Sequence, residues 1–482
     1  MQKKGVSVPA GVDEETTHGG RGARRIGLWG GVSTIVSLMI GSGIFTYAGK
    51  IHKQMQSTSL ALLVWVLAGV LGLTGALCYA ELGTMIPGSG GEAQYLAHGM
   101  GPLMTYLFDW TSILILKPGT VAIMAAAFSD HMVDVINLLT GAGLGASARV
   151  YGTFVGCILV TMLSLFPRVS DRILKGLTFS KIAALVFIIF GGLWYGQFTP
   201  EGQAALTSNF KDHLRPSSAA LPLTFSDFIG ALCEGLWGFE GWNNLNIVAG
   251  DVVRPERNLP LAIWISVAGV LCLYVMTLLG YYCILPHDTF SGLRTAGVTV
   301  GERVFSAILG PDWAPIGGSL MGLFVIGSTF SAALSSMSTS SEIITLSARS
   351  GRIPRYFRTN TRAYWMQGAL SVILTFFLHE EMVHWMFGKK DDELVIVYTF
   401  PTWIFYALCT VVLLSYRWWK PALERPYRVT LVAPVLFMLA CVVLIASTFL
   451  SSMKHVAASL VIMLAGIPFY YFLVASKSAN AK

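Results

Sequence analysis

The chain has 482 residues, of which 54% are hydrophobic and 12% charged. A soluble domain carries about 25% charged residues, so this composition excludes a soluble globular particle and implies a polytopic membrane protein. The formal net charge of +7 is no sign of nucleic-acid binding, because Lys and Arg gather in the cytoplasmic loops of membrane proteins and set their topology.

Residues 1–25 are polar and Gly-rich, with Lys3, Lys4, Arg21, Arg24 and Arg25. They lack an apolar core and a small-residue cleavage site, so a disordered cytoplasmic tail is expected there rather than a signal peptide. About twelve apolar segments long enough to cross a bilayer follow. They run about 27–48, 60–83, 103–128, 150–166, 174–196, 225–250, 259–285, 315–347, 365–378, 394–415, 431–450 and 456–475. A loop at 130–149 separates the third from the fourth, a long polar loop at 197–221 follows the fifth, and a short tail occupies 476–482.

Basic residues test that count. With the N-terminus inside, the inner loops hold Arg168, Arg172, Arg254, Arg257, Arg349 to Arg362, and Arg417 to Arg428. The outer loops are poorer in Lys and Arg, and their densest cluster, Lys389-Lys390-Asp391-Asp392-Glu393, neutralises itself. An inside excess of this kind fits both termini in the cytoplasm.

The first segment carries Gly41, Ser42 and Gly43 in a row. Each glycine costs a helix about 1 kcal/mol relative to Ala. Lipid tolerates non-helical backbone only where protein or water covers it. The stretch therefore reads either as a spanning helix broken over a cavity or as a close helix–helix contact made by small residues. If the first reading holds and the fold is an inverted repeat, the sixth segment must be broken too. It reads Gly235-Leu-Trp237-Gly238-Phe239-Glu240-Gly241-Trp-Asn243-Asn244, the most interrupted of the remaining segments. The match favours an all-α transporter with discontinuous first and sixth helices. Its core would span 26–415, with repeats at about 26–196 and 222–415, and two additional helices would occupy 416–475.

Complementary helix ends suit a zwitterion. Amides freed after Ile40, at Ser42 and Gly43, would hold a carboxylate, and carbonyls freed at Phe239 and its neighbours would hold an ammonium. An α-amino acid offers both groups. Trp237 stands about one turn before Glu240, where a ring would cap the ligand and gate its exit. Glu240 is ionisable at membrane depth, so it meets a basic side chain, accepts a proton, or pairs with Lys181 or Lys117. Asn243 follows it in the same interrupted stretch. Lys181, in the fifth segment, either takes the place of a coupling cation against the broken first helix or snorkels to the inner surface. Glu234 stands near the start of the sixth segment, and Asp109 and Glu342 are further intramembrane acids without an evident role.

Other chemistry leaves no trace. No GxSxG, HExxH or P-loop occurs, and the nine histidines show no ligand spacing. No enzyme activity, metal or cofactor is expected. The seven cysteines lie in apolar segments without a CxxC pair, which argues against zinc and disulfides.

Ordered motifs now carry a resemblance: Ile40-Gly-Ser-Gly-Ile-Phe45, Tyr79-Ala-Glu-Leu-Gly-Thr84 with Ser89-Gly-Gly91, Gly241-Trp-Asn243, Arg257-Asn-Leu-Pro-Leu-Ala-Ile263, Ser347-Ala-Arg349, Glu424-Arg-Pro426 and Ala465-Gly-Ile-Pro-Phe-Tyr470. In these the chain resembles the L-type amino acid transporters, light subunits within the amino acid–polyamine–organocation superfamily. The resemblance implies twelve helices, a 5+5 inverted core plus two helices, alternating access, and sodium-independent transport, often as obligatory exchange. It implies that Ile40, Gly41, Ser42 and Gly43 hold the substrate carboxylate, that Trp237, Gly238 and Phe239 line the amine and gate region, and that Lys181 matches the family's fifth-span lysine. Two departures stand out. Heteromeric members carry a cysteine in the loop after the third span that bonds a heavy chain; 130–149 has none, so no disulfide-linked heavy chain is expected. Glu240 occupies a slot that is usually small, which suits a cationic side chain or favours small substrates.

The expected function is transport of L-amino acids, neutral and through Glu240 also cationic, across a plasma membrane, with sodium-independent exchange as the leading mode. A proton-coupled permease and a non-transporting amino acid sensor on the same fold are the alternatives.

Overall fold

The computed structural model describes residues 26–210, 223–290, 296–378 and 394–475. The expected tails at 1–25 and 476–482, the second half of the 197–221 loop, and the Lys389–Glu393 cluster lie outside these residues.

Helices account for nearly all of the described chain. The first expected span is two helices, α1 (Leu28–Met39) and α2 (Gly43–Met55), which meet at a bend of 46°. α3 (Thr58–Met85) begins where the Ser57 hydroxyl accepts the Leu60 amide, the usual device for an orphan donor at a helix start. A short α4 (Glu92–Gly99) leads into α5 (Pro102–Thr140), continuous through a widened turn at Ser112–Leu116. α6 (Ala146–Ser164) and α7 (Pro167–Phe198) complete the first half. α8 (Pro200–Phe210) precedes α9 (Phe225–Gly238) and the one-turn α10 (Asn244–Ile247). α11 (Pro255–Ile284), α12 (His287–Phe290), α13 (Ala296–Leu309), α14 (Ala314–Arg349) and α15 (Asn360–Leu378) follow. α16 (Leu394–Trp419), α17 (Val432–Ser451) and α18 (Met453–Leu464) follow, and helix runs on through Gly466–Tyr470 and Tyr471–Ala475 to complete the last span.

Among the described residues nine helices are long and apolar enough to cross a membrane, or ten with the bent α1–α2 pair. α9 and α15 stand at the sixth and ninth expected places without meeting that measure. Apolar side chains such as Phe190, Val155, Val442 and Val461 are exposed, as a lipid-facing surface requires. α14 is the most enclosed of the spanning helices and forms the centre of the bundle.

Two expectations need correction. Residues 200–210 are helix rather than loop, because Pro200 sits at a first helical position, where its missing N–H costs nothing. The loop at 130–149 shrinks to 141–145: α5 runs on to Thr140 and stops at Gly141, whose φ of +65° is the left-handed cap that glycine supplies.

Candidate functional site

The first break is an inverse γ-turn. Ile40 has φ −79° and ψ 82°, and the Gly41 amide donates to Met39 O at 2.9 Å, the three-residue turn at its usual dihedrals. Gly41 therefore spends its amide internally. No backbone carbonyl among the described residues takes the amides of Ser42, Gly43 or Ile44. These three donors open α2 and carry the positive end of its dipole.

The second break follows Gly238. Phe239 and Glu240 turn back with their amides on Leu236 O and Trp237 O, and Gly241 takes φ +115°, a conformation rarely open to side-chain-bearing residues. A Cβ built on Gly43 would lie 2.7 Å from Gly238 Cα. The two breaks thus touch backbone to backbone, which glycine at 43 allows, while a Cβ on Gly238 would instead meet the Trp65 ring at 2.9 Å.

Three side chains hold this crossing. Lys181, fully buried on α7, donates to Ser37 O at 2.7 Å and Ile40 O at 2.6 Å. It reaches inward to the freed carbonyls of α1 and does not snorkel. Ser328, on α14, lies 3.0 Å from both Ile40 O and Gly41 O. Tyr274, on α11, donates to Met39 O at 2.9 Å and Gly238 O at 3.1 Å, so one hydroxyl bridges both breaks.

A cavity of about 110 Å³ opens beside the breaks. Ser42, Thr46 and Tyr47 of α2 line it, with Trp237 of α9 and Ile123, Ala127, Asp130, His131 and Asp134 of α5. The Trp237 and Tyr47 rings, both in its lining, pack in a tilted contact 5.8 Å apart. Phe239 is fully buried between Trp65 and Tyr274 instead of lining this space.

Glu240 and Asn243 lie in a separate polar network past the second break. Tyr406 donates to Glu240 at 2.7 Å, Asn243 Nδ2 to Glu92 at 2.5 Å, and Lys117 Nζ to Asn244 Oδ1 at 3.2 Å. Neither Glu240 nor Asn243 reaches the cavity wall, and Lys181 is committed to α1. The other intramembrane acids find cations: Asp109 pairs with Arg352 at 2.5 Å and Glu234 with Lys50 at 2.7 Å. Glu81, fully buried on α3, is held by Arg417, Arg425 and the Val429 amide. Glu342 is half-buried on α14. All seven cysteines are unpaired.

Sequence reasoning brought together Ser42, Gly43, Trp237, Gly238 and Lys181. It missed Tyr274, Ser328, Glu92, Tyr406 and the acidic face of α5. The last had a signal, since Asp130 and Asp134 are four apart and share a helix face.

The amino acid permease family model matches residues 26–474. The mouse b(0,+)-type amino acid transporter 1 is 28% identical, with 96% of this chain and 91% of that protein covered. The human cystine/glutamate transporter is 30% identical over 94% and 85% of the two chains. The mouse Asc-type amino acid transporter 1 is 30% identical over 93% and 81%. Among solved structures, MhsT in complex with L-phenylalanine superposes with a TM-score of 0.58 at 13% identity, over 90% of this chain and 98% of that one. That likeness is one of fold.

Proposed function

The chain belongs to the amino acid permease family, and from that premise we propose that it carries L-amino acids across a membrane by alternating access at the crossing of its two broken helices. One observation supports this above the others: Gly43 and Gly238 bring a helix N-terminus with three unclaimed amides against a helix C-terminus. The amides near Ser42 and Gly43 take the substrate carboxylate, and carbonyls near Trp237 to Phe239 take its ammonium. Trp237 and Tyr47 close the outer side.

Sodium-independent exchange is the mode. The Lys181 ammonium occupies the carbonyl nest of α1, the kind of site where a coupling cation would otherwise bind. Glu240, oriented by Tyr406, receives a cationic side chain once the ligand passes Trp237, which admits cationic as well as neutral substrates. A proton-coupled cycle is the second reading, favoured by the clustering of Glu240, Glu92 and Lys117 around Asn243 and Asn244. Twelve spans in a 5+5 inverted repeat plus two helices, cytoplasmic termini, a plasma-membrane location and no disulfide-linked heavy chain complete the proposal.

The test is reconstitution. Purified protein in liposomes preloaded with amino acids is offered each labelled L-amino acid in turn, with and without sodium and a pH gradient. Uptake that requires a preloaded interior and ignores sodium is expected. Flux driven by a pH gradient would replace exchange with proton coupling, and binding without flux would replace transport with sensing.

A further inference from the structure

We propose that the arginine-rich turn between α14 and α15, together with the corner between α6 and α7 beside it, is a docking site for the headgroup of an anionic phospholipid. The proposal needs only that the chain spans a membrane and does not rest on the transport reading.

The charge of the turn is one-sided. Residues 349–362 hold five arginines and no acid. Two of the five are answered from elsewhere: Arg352 pairs with Asp109 at 2.5 Å, and Arg349 lies near Glu342 of its own helix. Arg355, Arg358 and Arg362 are exposed, and among the described residues no carboxylate pairs with them. Arg358 Nε donates to Ala348 O at 3.4 Å, and Arg362 donates to Tyr356 O at 3.0 Å with its guanidinium 4.3 Å from the Tyr356 ring. Carbonyls and a ring orient these two side chains without neutralising them.

Helix register brings a second basic element alongside. α6 and α15 run antiparallel: a Cβ on Gly368 would collide with Thr161, Thr375 meets Cys157 at 3.5 Å, and Phe376 packs on Phe154. Continued toward the start of α15, that register reaches the α6–α7 corner, where Tyr364 shares an apolar cluster with Leu165, Ile173 and Leu174. The corner presents Arg168 and Arg172, one turn apart and exposed. Its acid, Asp171, is tied to Lys175 at 2.7 Å. Five arginines without a described acidic counterpart therefore stand on two adjoining elements.

Their surroundings select the occupant. Phe166, Tyr356 and Trp365 are interleaved with these arginines and are 62%, 62% and 51% exposed. Exposed rings at the ends of spanning helices belong to the headgroup layer. Clusters of four to eight basic residues beside a spanning helix attract anionic headgroups, and a guanidinium fork matches two phosphate oxygens. An acidic protein segment would answer the charge but leave the rings in water. The basic run at the end of α16 is different, because Arg417 and Arg425 are occupied by Glu81.

Native mass spectrometry of full-length protein in detergent, titrated with phosphatidylglycerol or with phosphatidylcholine of matched chains, reads the binding. Phosphatidylglycerol should bind at the lower concentration, and high salt should erase the difference. Arg168→Gln and Arg355→Gln remove no described side-chain hydrogen bond, and each should weaken phosphatidylglycerol binding about fivefold, the worth of one basic residue at an anionic surface. Lys454→Gln, at the start of α18 and the other end of the bundle, is the control and should leave binding within about twofold of wild type. If either arginine variant does not fold, Arg172→Gln takes its place. Equal binding of the two lipids by wild-type protein overturns the proposal, as does an equal loss in Lys454→Gln and the arginine variants, or no loss in the arginine variants. A soluble polyglutamate peptide that binds where phosphatidylglycerol does not overturns it too, and assigns the patch to an acidic protein segment.

Discussion

The crossing of the two breaks can be tested by adding one methyl group. In Gly43→Ala the new Cβ would sit 2.7 Å from Gly238 Cα. Carbon atoms settle at about 3.5–4.0 Å, so the breaks must part by about 1 Å. The obstacle is backbone, which cannot rotate aside as a side chain does. Gly43 has no positive φ, so the substitution tests the contact and not backbone strain. A shift of about 1 Å stretches a 2.9 Å hydrogen bond past bonding range. Bonds to a charged group contribute about 1.5–3 kcal/mol each, so losing one raises KM by about 10- to 100-fold. Gly41→Ala is the internal control. Its Cβ meets Ala332 Cβ at 3.7 Å, ordinary contact, and the Gly41 amide is already spent on Met39 O. Its KM should stay within about threefold of wild type. The assay is exchange of labelled leucine in liposomes, with detergent size-exclusion profiles to confirm folding. Equal KM values for Gly43→Ala and Gly41→Ala would refute the direct crossing and the amide grip deduced from it.

Other substitutions test neighbouring parts. Lys181→Met leaves the Ser37 carbonyl without its donor and Ile40 O with Ser328 alone. Exchange should fall about tenfold or more, while Lys181→Arg retains part of it. Trp237→Ala should cripple flux without lowering expression; flux equal to wild type would remove the gating role. Glu240→Gln should shift competition profiles away from basic amino acids. Tyr406→Phe, which frees the Glu240 carboxylate from its 2.7 Å donor, should produce a weaker shift in the same direction.

Much of this site was legible in the chain because its signals are local. Gly41 to Gly43, and Gly238 with Gly241, each weaken a helix by about 1 kcal/mol per glycine, and two such clusters at matching depth support each other where Gly191-Gly192 and Gly317-Gly318, which stay helical, have no such counterpart. A lysine in an apolar run stands out by charge alone. Hydroxyls do not. Within α11, Thr277 bonds back to its own helix at Leu273 O, while Tyr274 one turn away spans both breaks. Both read as tolerated polar groups in an apolar helix, and only tertiary placement separates them. Ser328 is hidden in the same way among the many serines of α14. The α5 acids were lost for another reason. Charge and falling hydropathy near residue 130 resemble a loop, yet the helix continues to Gly141, where backbone conformation rather than polarity ends it. Likewise Pro200 marked a break in the chain, and the structure uses it to start a helix.

The Tyr274 hydroxyl has a single hydrogen to divide between two carbonyls. Each half of such a forked bond is weaker than a full one, so the seam between α1 and α9 can be unfastened in stages, one acceptor at a time. Motion of α11 relative to either partner lets the hydrogen settle wholly on the other, and the loosened oxygen is then open to water or, in the proposed binding mode, to the substrate ammonium. A clasp built this way keeps the breaks aligned at rest without making their separation the steepest step of the cycle.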